Sequence, residues 1–547
     1  MTMQQTPLLL WRLLDRGARI APREEIVVRM PWGRHRQTYA ETRVRACQVA
    51  NALHARGIRV GDRVATLMWN NHRHLELYQA LPSMGAVLHT LNLRLSPREL
   101  CYIIGHAEDR VLFVDEDLLP LVNALAGQIP SVELIVVCPD GSGSSWPAGA
   151  VDYEEFIAGQ PTAYAWPEID ENSPLGLCYT SGTTGNPKGV MYTHRSTYLH
   201  TLTQAMTDVM GLTARDSLCA IVPMFHAMSW GLPFTLTMLG AKQVMPHRFL
   251  DPVSLLDLLA DEEVTISAGV PTIWQGVRAR LTAEPERWNL GKLERLTCGG
   301  SAPPVSLMRW FWDTFGIEMV QGWGMTETNP LGTMSRKVAK RAHLQLSVDE
   351  QFRNVEKAGL LMPGLEMEIF DDAQRPLPHD GVAVGELAVR GPWVCAEYYK
   401  DPQPDKFRDG WLLTGDVARI DAEEYLIIAD RSKDLIKSGG EWISSVDVEN
   451  RIAGLRGVAQ AAVVAQPHPR WDERPVALVV CDGTTPVSAD QVRDHCAAVF
   501  ARWQLPDDVI FRSSLPLTST GKLDKKAIRA QLAAAGYRLP DLRGEGQ

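Results

Sequence analysis

A chain of 547 residues is long enough for two or more domains. Its 45% hydrophobic and 22% charged residues exclude a largely disordered protein. The net charge of −10 argues against a nucleic-acid partner, while leaving room for a local basic groove that holds an anionic ligand. Nine cysteines, none in a Cys-x-x-Cys pair, read as reduced, mostly buried small residues and suit a cytoplasmic location.

From the N-terminus, the apolar run 7–14 is broken by Arg12 and predicts an amphipathic helix rather than a signal peptide. Helices are expected over 39–56 and 75–84, and strands over 64–69, 111–114 and 134–138, each bounded by turn signals. A short Gly/Ser-rich loop follows at 141–149. A strand at 175–180 runs into a glycine-rich segment, after which 190–200 is expected to open a helix. The stretch 217–241 carries no charged residue and is long enough to span a bilayer. Pro223, His226, Ser229, Gly231 and Pro233 interrupt it, so it reads instead as a buried segment lining a cavity. Strands at 264–269 and 293–298 continue an alternation that predicts α/β layers with largely parallel sheets. After Gly359 the pattern changes to strands separated by turns, at 364–371, 385–390 and 425–429, which suggests a β-rich subdomain. The charged run 430–434 marks a boundary. Beyond it, helices at 446–452 and 488–500 and strands at 461–465 and 476–481 predict an α+β domain of roughly a hundred residues. The expected fold class is therefore α/β. A large multi-layer N-terminal domain, residues 1–430, holds two α/β subdomains and the β-rich one. A smaller α+β C-terminal domain covers 431–547.

The segment 179–189 reads Tyr-Thr-Ser-Gly-Thr-Thr-Gly-Asn-Pro-Lys-Gly. Gly182 and Gly185 let backbone N–H groups converge on phosphate oxygens. Thr180, Ser181, Thr183 and Thr184 add hydroxyls, and Lys188 adds a positive charge. The spacing is not that of a Walker A loop. Alone it supports nucleotide binding and no more. It resembles the phosphate loop of the acyl-adenylate-forming superfamily, which holds acyl-CoA synthetases, luciferases and peptide-synthetase adenylation domains. With the motifs below, the resemblance is close to full length.

Gln-Gly-Trp-Gly-Met-Thr-Glu-Thr over 321–328 resembles the superfamily's aromatic-Gly-x-Thr-Glu motif. Gln321, Gly322 and Trp323 are then expected beside the nucleotide, Trp323 flanking the adenine. The resemblance implies that Thr326 contacts the α-phosphate and that Glu327, with Thr184, holds Mg²⁺. One or two carboxylates plus phosphate oxygens suit that hard cation. Gly300 and Ser301, in the turn 299–304, match the adenine-side turn. Asp416, in Thr-Gly-Asp, matches the ribose carboxylate, an acceptor for both hydroxyls, with Arg431 and Lys437 as further nucleotide contacts. Lys522, in Pro-Leu-Thr-Ser-Thr-Gly-Lys, matches the adenylation lysine. A lysine there offsets the repulsion between carboxylate and α-phosphate, about 4 kcal/mol for unit charges at about 4 Å and an effective dielectric near 20.

The resemblance also implies a mobile C-terminal domain that turns about 431–434, with Lys433 as pivot. Lys522 then gives way to the loop 437–442, where Gly439 and Gly440 leave room for a pantetheine arm. Glu441 is a candidate to orient or deprotonate the thiol, and Trp442 lies in the same channel. His226 and Trp230, in Pro-Met-Phe-His-Ala-Met-Ser-Trp over 223–230, match a stretch lining the acyl and pantetheine channels, Trp230 at the position of a gate to an alkyl tunnel. Such a tunnel gains roughly 0.8 kcal/mol per buried CH₂. The implied reaction is ATP- and Mg²⁺-dependent activation of a medium- to long-chain fatty acid, followed by transfer to coenzyme A. A short thioether or aryl acid, or transfer to a carrier protein, are the alternatives. A homodimer and peripheral membrane contact are compatible with this reading, and no transmembrane segment is expected.

Overall fold

Three sheets organise the protein in the computed structural model, which describes all residues except 1–2, 181–185, 432, 439–440, 484, 519–521 and 540–547. The first sheet has seven strands, ordered Val151–Asp152, Leu134–Cys138, Val111–Asp115, Arg63–Leu67, Val87–Thr90, Pro174–Thr180 and Lys188–Thr193. Every neighbouring pair is parallel except the last. Parallel strands covered on both faces need unbroken apolar runs, and Val111–Asp115 is buried at every position. The helices Tyr39–Ala55 and His72–Ser83 start at residues whose side chains accept a backbone N–H, Thr38 and Asn71, so their ends agree with the sequence to within a few residues.

The expected helix over 190–200 begins later than the sequence suggests. Lys188–Thr193 is a strand, and the helix is His194–Ala205. The strand pairs back antiparallel onto Pro174–Thr180, with Thr180 opposite Lys188. Long-range pairing overrides the local pattern here.

The second sheet has fourteen strands among the described residues. After an edge hairpin, its first half is parallel and ends with Ser217–Ala220, Ile266–Gly269, Arg295–Gly299 and Glu318–Gly324. From Glu318–Gly324 onward every pair is antiparallel, through Leu331–Ser335, Gly359–Leu361, Tyr425–Arg431, Trp411–Ile420, Gly385–Arg390 and Glu366–Phe370. The β-rich region is thus hydrogen-bonded edge to edge with the second α/β unit. The strand where direction changes carries Gln321, Gly322 and Trp323.

The third sheet belongs to the smaller α+β C-terminal domain. Its strands are Glu441–Ile443, Ile436–Ser438, Asp472–Cys481, Val458–His468 and Asp508–Phe511. Ile436, Val448, Ile452, Val463, Val479 and Val492 form its own core. The uncharged stretch 217–241 resolves into a buried strand, a left-handed turn and the helix Leu232–Leu239. No helix among the described residues is long and apolar enough to cross a membrane. All nine cysteines are free.

Candidate active site

On the phosphate side, Thr180 and Lys188 end two paired strands. The intervening candidates Ser181, Gly182, Thr183, Thr184 and Gly185 lie outside the described residues. Lys188 Nζ stands 5.0 Å from the centroid of the Tyr398 ring. The Tyr398 hydroxyl donates to Glu327 Oε1 at 2.6 Å. Glu327, 6% exposed, sits in the short turn Thr326–Thr328, whose Thr326 carbonyl accepts from the Tyr192 hydroxyl at 2.8 Å. Burial, with the Glu327 carboxylate alongside, pushes the Tyr398 hydroxyl pKa up, so it stays a donor.

On the nucleoside side, the Trp323 indole N–H donates to Asp416 Oδ2 at 2.8 Å, and Arg431 Nε lies 2.8 Å from Oδ1. Asp416 and Arg431 are register partners on adjacent strands. Gln321 directs its amide to the Val355 and Lys357 carbonyls at 2.6 and 2.7 Å, so that side chain braces the strand. Gly322 pairs with Gly299.

The strand Arg295–Gly299 delivers Gly300 at φ +88°, a left-handed conformation that favours glycine. Ser301 beside it is exposed. A Cβ at Gly300 would lie 3.1 Å from Lys522 Cε and 3.9 Å from its Nζ. Lys522, more than two hundred residues further along the chain, therefore reaches the same floor. Dehydration there, reinforced by Arg431 and opposed by Asp416 and Glu327, pulls its pKa down to about 8.

A Cβ at Gly299 would lie 2.8 Å from Trp230 Cη2, so the indole occupies the space a side chain would fill. Ala227, Met228, Ser229 and Trp230 all have φ between 43 and 56°. Left-handed L-residues each cost about 1–2 kcal/mol. The turn is held by Ser229 Oγ donating to the Val222 carbonyl at 2.8 Å and by Gln204 Nε2 donating to the Trp230 carbonyl at 2.7 Å. His226 begins this turn. Burial, with the Lys522 cation nearby, drives its pKa down to about 3, so the imidazole is neutral at ordinary pH.

The remaining candidates lie elsewhere. Lys437, Glu441 and Trp442 occupy an exposed hairpin, with Lys437 Nζ 5.8 Å from the Trp442 ring centroid and Trp442 53% exposed. Gly439 and Gly440 lie outside the described residues. Lys433 is exposed at the start of the small domain.

The sequence profile of the family described as AMP-binding enzyme matches residues 14–399, well over half of the chain. That of the AMP-binding enzyme C-terminal domain matches residues 447–522. The chain belongs to the AMP-binding enzyme family. A long-chain-fatty-acid–CoA ligase of Thermus thermophilus is 45% identical over 536 residues, spanning 97% of this chain and 96% of that protein. A 3-methylmercaptopropionyl-CoA ligase of Ruegeria lacuscaerulensis is 43% identical over 537 residues, spanning 97% and 99%. The crystal structure of anthranilate CoA ligase AuaEII with anthranoyl-AMP shares the fold with a TM-score of 0.86 at 25% identity, covering 97% of this chain and 99% of that one.

Two features of this AMP-binding enzyme escape sequence reading. Tyr398 links Lys188 to Glu327 but stands in no motif singled out above. Asp430, 1% exposed at the end of the strand Tyr425–Arg431, accepts the Ser445 N–H at 2.7 Å and the Ser445 hydroxyl. Lys525 Nζ donates to the same hydroxyl and lies 2.9 Å from Glu449. A buried acidic residue of the large sheet thus caps the first helix of the small domain, Ser445–Ala453. In the sequence it is one charge among several.

Proposed function

We propose that this AMP-binding enzyme joins a fatty acid, medium- to long-chain, to coenzyme A, forming AMP and pyrophosphate. The observation that carries this reading is Lys522, brought from the small domain to Gly300, beside the charges of Asp416, Arg431 and Glu327. In the first step a carboxylate oxygen of the acid bonds to the α-phosphorus of ATP, and the bond to pyrophosphate breaks. Lys522, in its ammonium form, faces both anions and lowers their repulsion. Thr326 reaches the α-phosphate, Lys188 steadies the β- and γ-phosphates, and Asp416 accepts the ribose hydroxyls.

Glu327 suits Mg²⁺: it is a largely buried carboxylate held by Tyr398, and this cation takes one or two carboxylates with phosphate oxygens. Among the described residues no group of three or more His, Cys, Asp or Glu could hold a metal, which fits a cation carried mainly by the nucleotide. Thr184 would be the second protein contact. Bound Mg²⁺ would neutralise charge on the departing pyrophosphate.

In the second step the thiol sulfur of coenzyme A bonds to the acyl carbon, its proton is lost, and AMP leaves. The boundary at 430/431, with a turn about Lys433, would exchange Lys522 for the hairpin bearing Glu441 and Trp442. The neutral His226, between the acyl and thiol paths, offers a hydrogen bond rather than a charge.

Trp230 and its uncharged surroundings support an alkyl acid. Identities of 45% to a long-chain-fatty-acid ligase and 43% to a thioether-acid ligase lie close together, so a short thioether acid is the second reading. A panel of alkyl, thioether and aryl acids with ATP, Mg²⁺ and coenzyme A, followed by AMP release, separates them. Turnover rising with chain length supports the fatty-acid reading, and turnover confined to thioether or aryl acids overturns it. A carrier protein tested in place of coenzyme A checks the acceptor. Nine free cysteines support a cytoplasmic location, and homodimerisation and peripheral membrane contact belong to the same reading.

A further inference from the structure

The Trp323 side chain has two chemically distinct parts, a flat apolar ring and one N–H. The ring suits adenine, but the N–H points elsewhere, to Asp416 Oδ2 at 2.8 Å. Asp416 is 4% exposed, so the rotation of its carboxylate is set by protein partners rather than by water. A carboxylate has about four lone-pair directions, two on each oxygen. Arg431 Nε lies 2.8 Å from Oδ1 as an ion pair without hydrogen-bond alignment, and the indole takes one direction on Oδ2. Oδ1, buried and without a hydrogen-bond donor, and the second direction on Oδ2 are left for two vicinal hydroxyls.

The indole is itself fixed. A Cβ at Gly332 would lie 2.6 Å from Trp323 Cζ3 and 2.8 Å from Cε3, so the ring rests against bare backbone. It also packs on the apolar layer containing Leu387, Leu412 and Ala418. A donor mounted on so constrained a ring defines an angle as well as a bond.

We propose that Trp323 is a positioning residue for Asp416: its N–H locks the carboxylate rotation so that one lone pair on each oxygen faces the 2′- and 3′-hydroxyls of the nucleotide. This rests on the assignment of Asp416 to the ribose made above. The same bond makes the enzyme selective for a ribonucleotide over a nucleotide lacking those hydroxyls.

The test measures acid-dependent pyrophosphate exchange with ATP and with 2′,3′-dideoxy-ATP, using the full-length parent, Trp323→Phe and Asp416→Asn. Phenylalanine keeps a flat apolar ring and removes the donor. Any loss of ring contact with adenine in Trp323→Phe weakens both nucleotides alike, so the readout is the preference: the ratio of kcat/KM for ATP to that for the dideoxynucleotide is expected to fall about tenfold. An equal loss for both nucleotides means that the ring acts by packing alone, and overturns the proposal. Asp416→Asn is expected to erase the preference for ATP. If it weakens both nucleotides equally, the ribose assignment fails, and the proposal with it. Comparing two nucleotides within one variant cancels any loss of folded protein.

Discussion

The small domain carries two segments rich in functional candidates, and they stand in opposite surroundings. Lys522 sits against Gly300 near the charges of Asp416, Glu327 and Arg431. The hairpin with Lys437, Glu441 and Trp442 is exposed, and the backbone N–H of Lys437 donates at 2.9 Å to Glu473 of its own domain. One rigid body cannot offer both faces to one floor at once. Under the roles proposed above, this arrangement suits the first chemical step and leaves the candidates for the second outside.

Replacing Lys522 by Ala should break that comparison most severely. Pyrophosphate exchange is expected to fall by about 10²–10³-fold, while thioester formation from supplied acyl-adenylate and coenzyme A stays intact. Equal loss of both would mean that one arrangement serves both steps. Glu441→Gln is the converse experiment. Thioester formation should slow about tenfold with exchange unchanged, and loss of exchange would remove Glu441 from the second step.

Asp430→Asn sharpens the comparison at the joint between domains. Weakening a charge-assisted bond to Ser445 should loosen the captured arrangement, reducing exchange about fivefold without slowing thioester formation. Parallel losses in both, with a lower melting temperature, would make the contact purely structural. The smallest effect concerns pH. In the proposed role Lys522 acts as a cation, and its pKa is depressed to about 8, so that form is present below this value and is lost above it. Between pH 7.5 and 8.5, kcat/KM for ATP in exchange should fall about threefold, and Lys522→Arg should abolish the fall. A flat profile in the parent would show that Lys522 does not titrate there.

Most strands were legible because their apolar runs are short and bounded by turn residues, as at Leu134–Cys138 and Gly385–Arg390. The helix expected from residue 39 does begin there, where Thr38 caps it. Asp416, Glu327 and Lys522 are singled out by the motifs around them, and the fold brings the three near one another. Pairing was not legible. Nothing local announces that the strand after Gly359 continues a parallel sheet, since register depends on residues far away in sequence. The expected helix over 190–200 fails at its start for the same reason, since Lys188–Thr193 is a strand. Tyr398 and Asp430 stand in no motif because their partners are brought close only by folding.

The contact between Trp230 and Gly299 has a consequence for redesign. The indole fills the volume that any Cβ at position 299 would claim, so the two positions form a bump and its hole. Alanine at 299 alone would displace the ring at a cost of about 1–3 kcal/mol. Trimming Trp230 first would vacate that volume and make the same alanine harmless. The volume held by Trp230 can therefore be altered from the strand Arg295–Gly299 as well as from Trp230 itself.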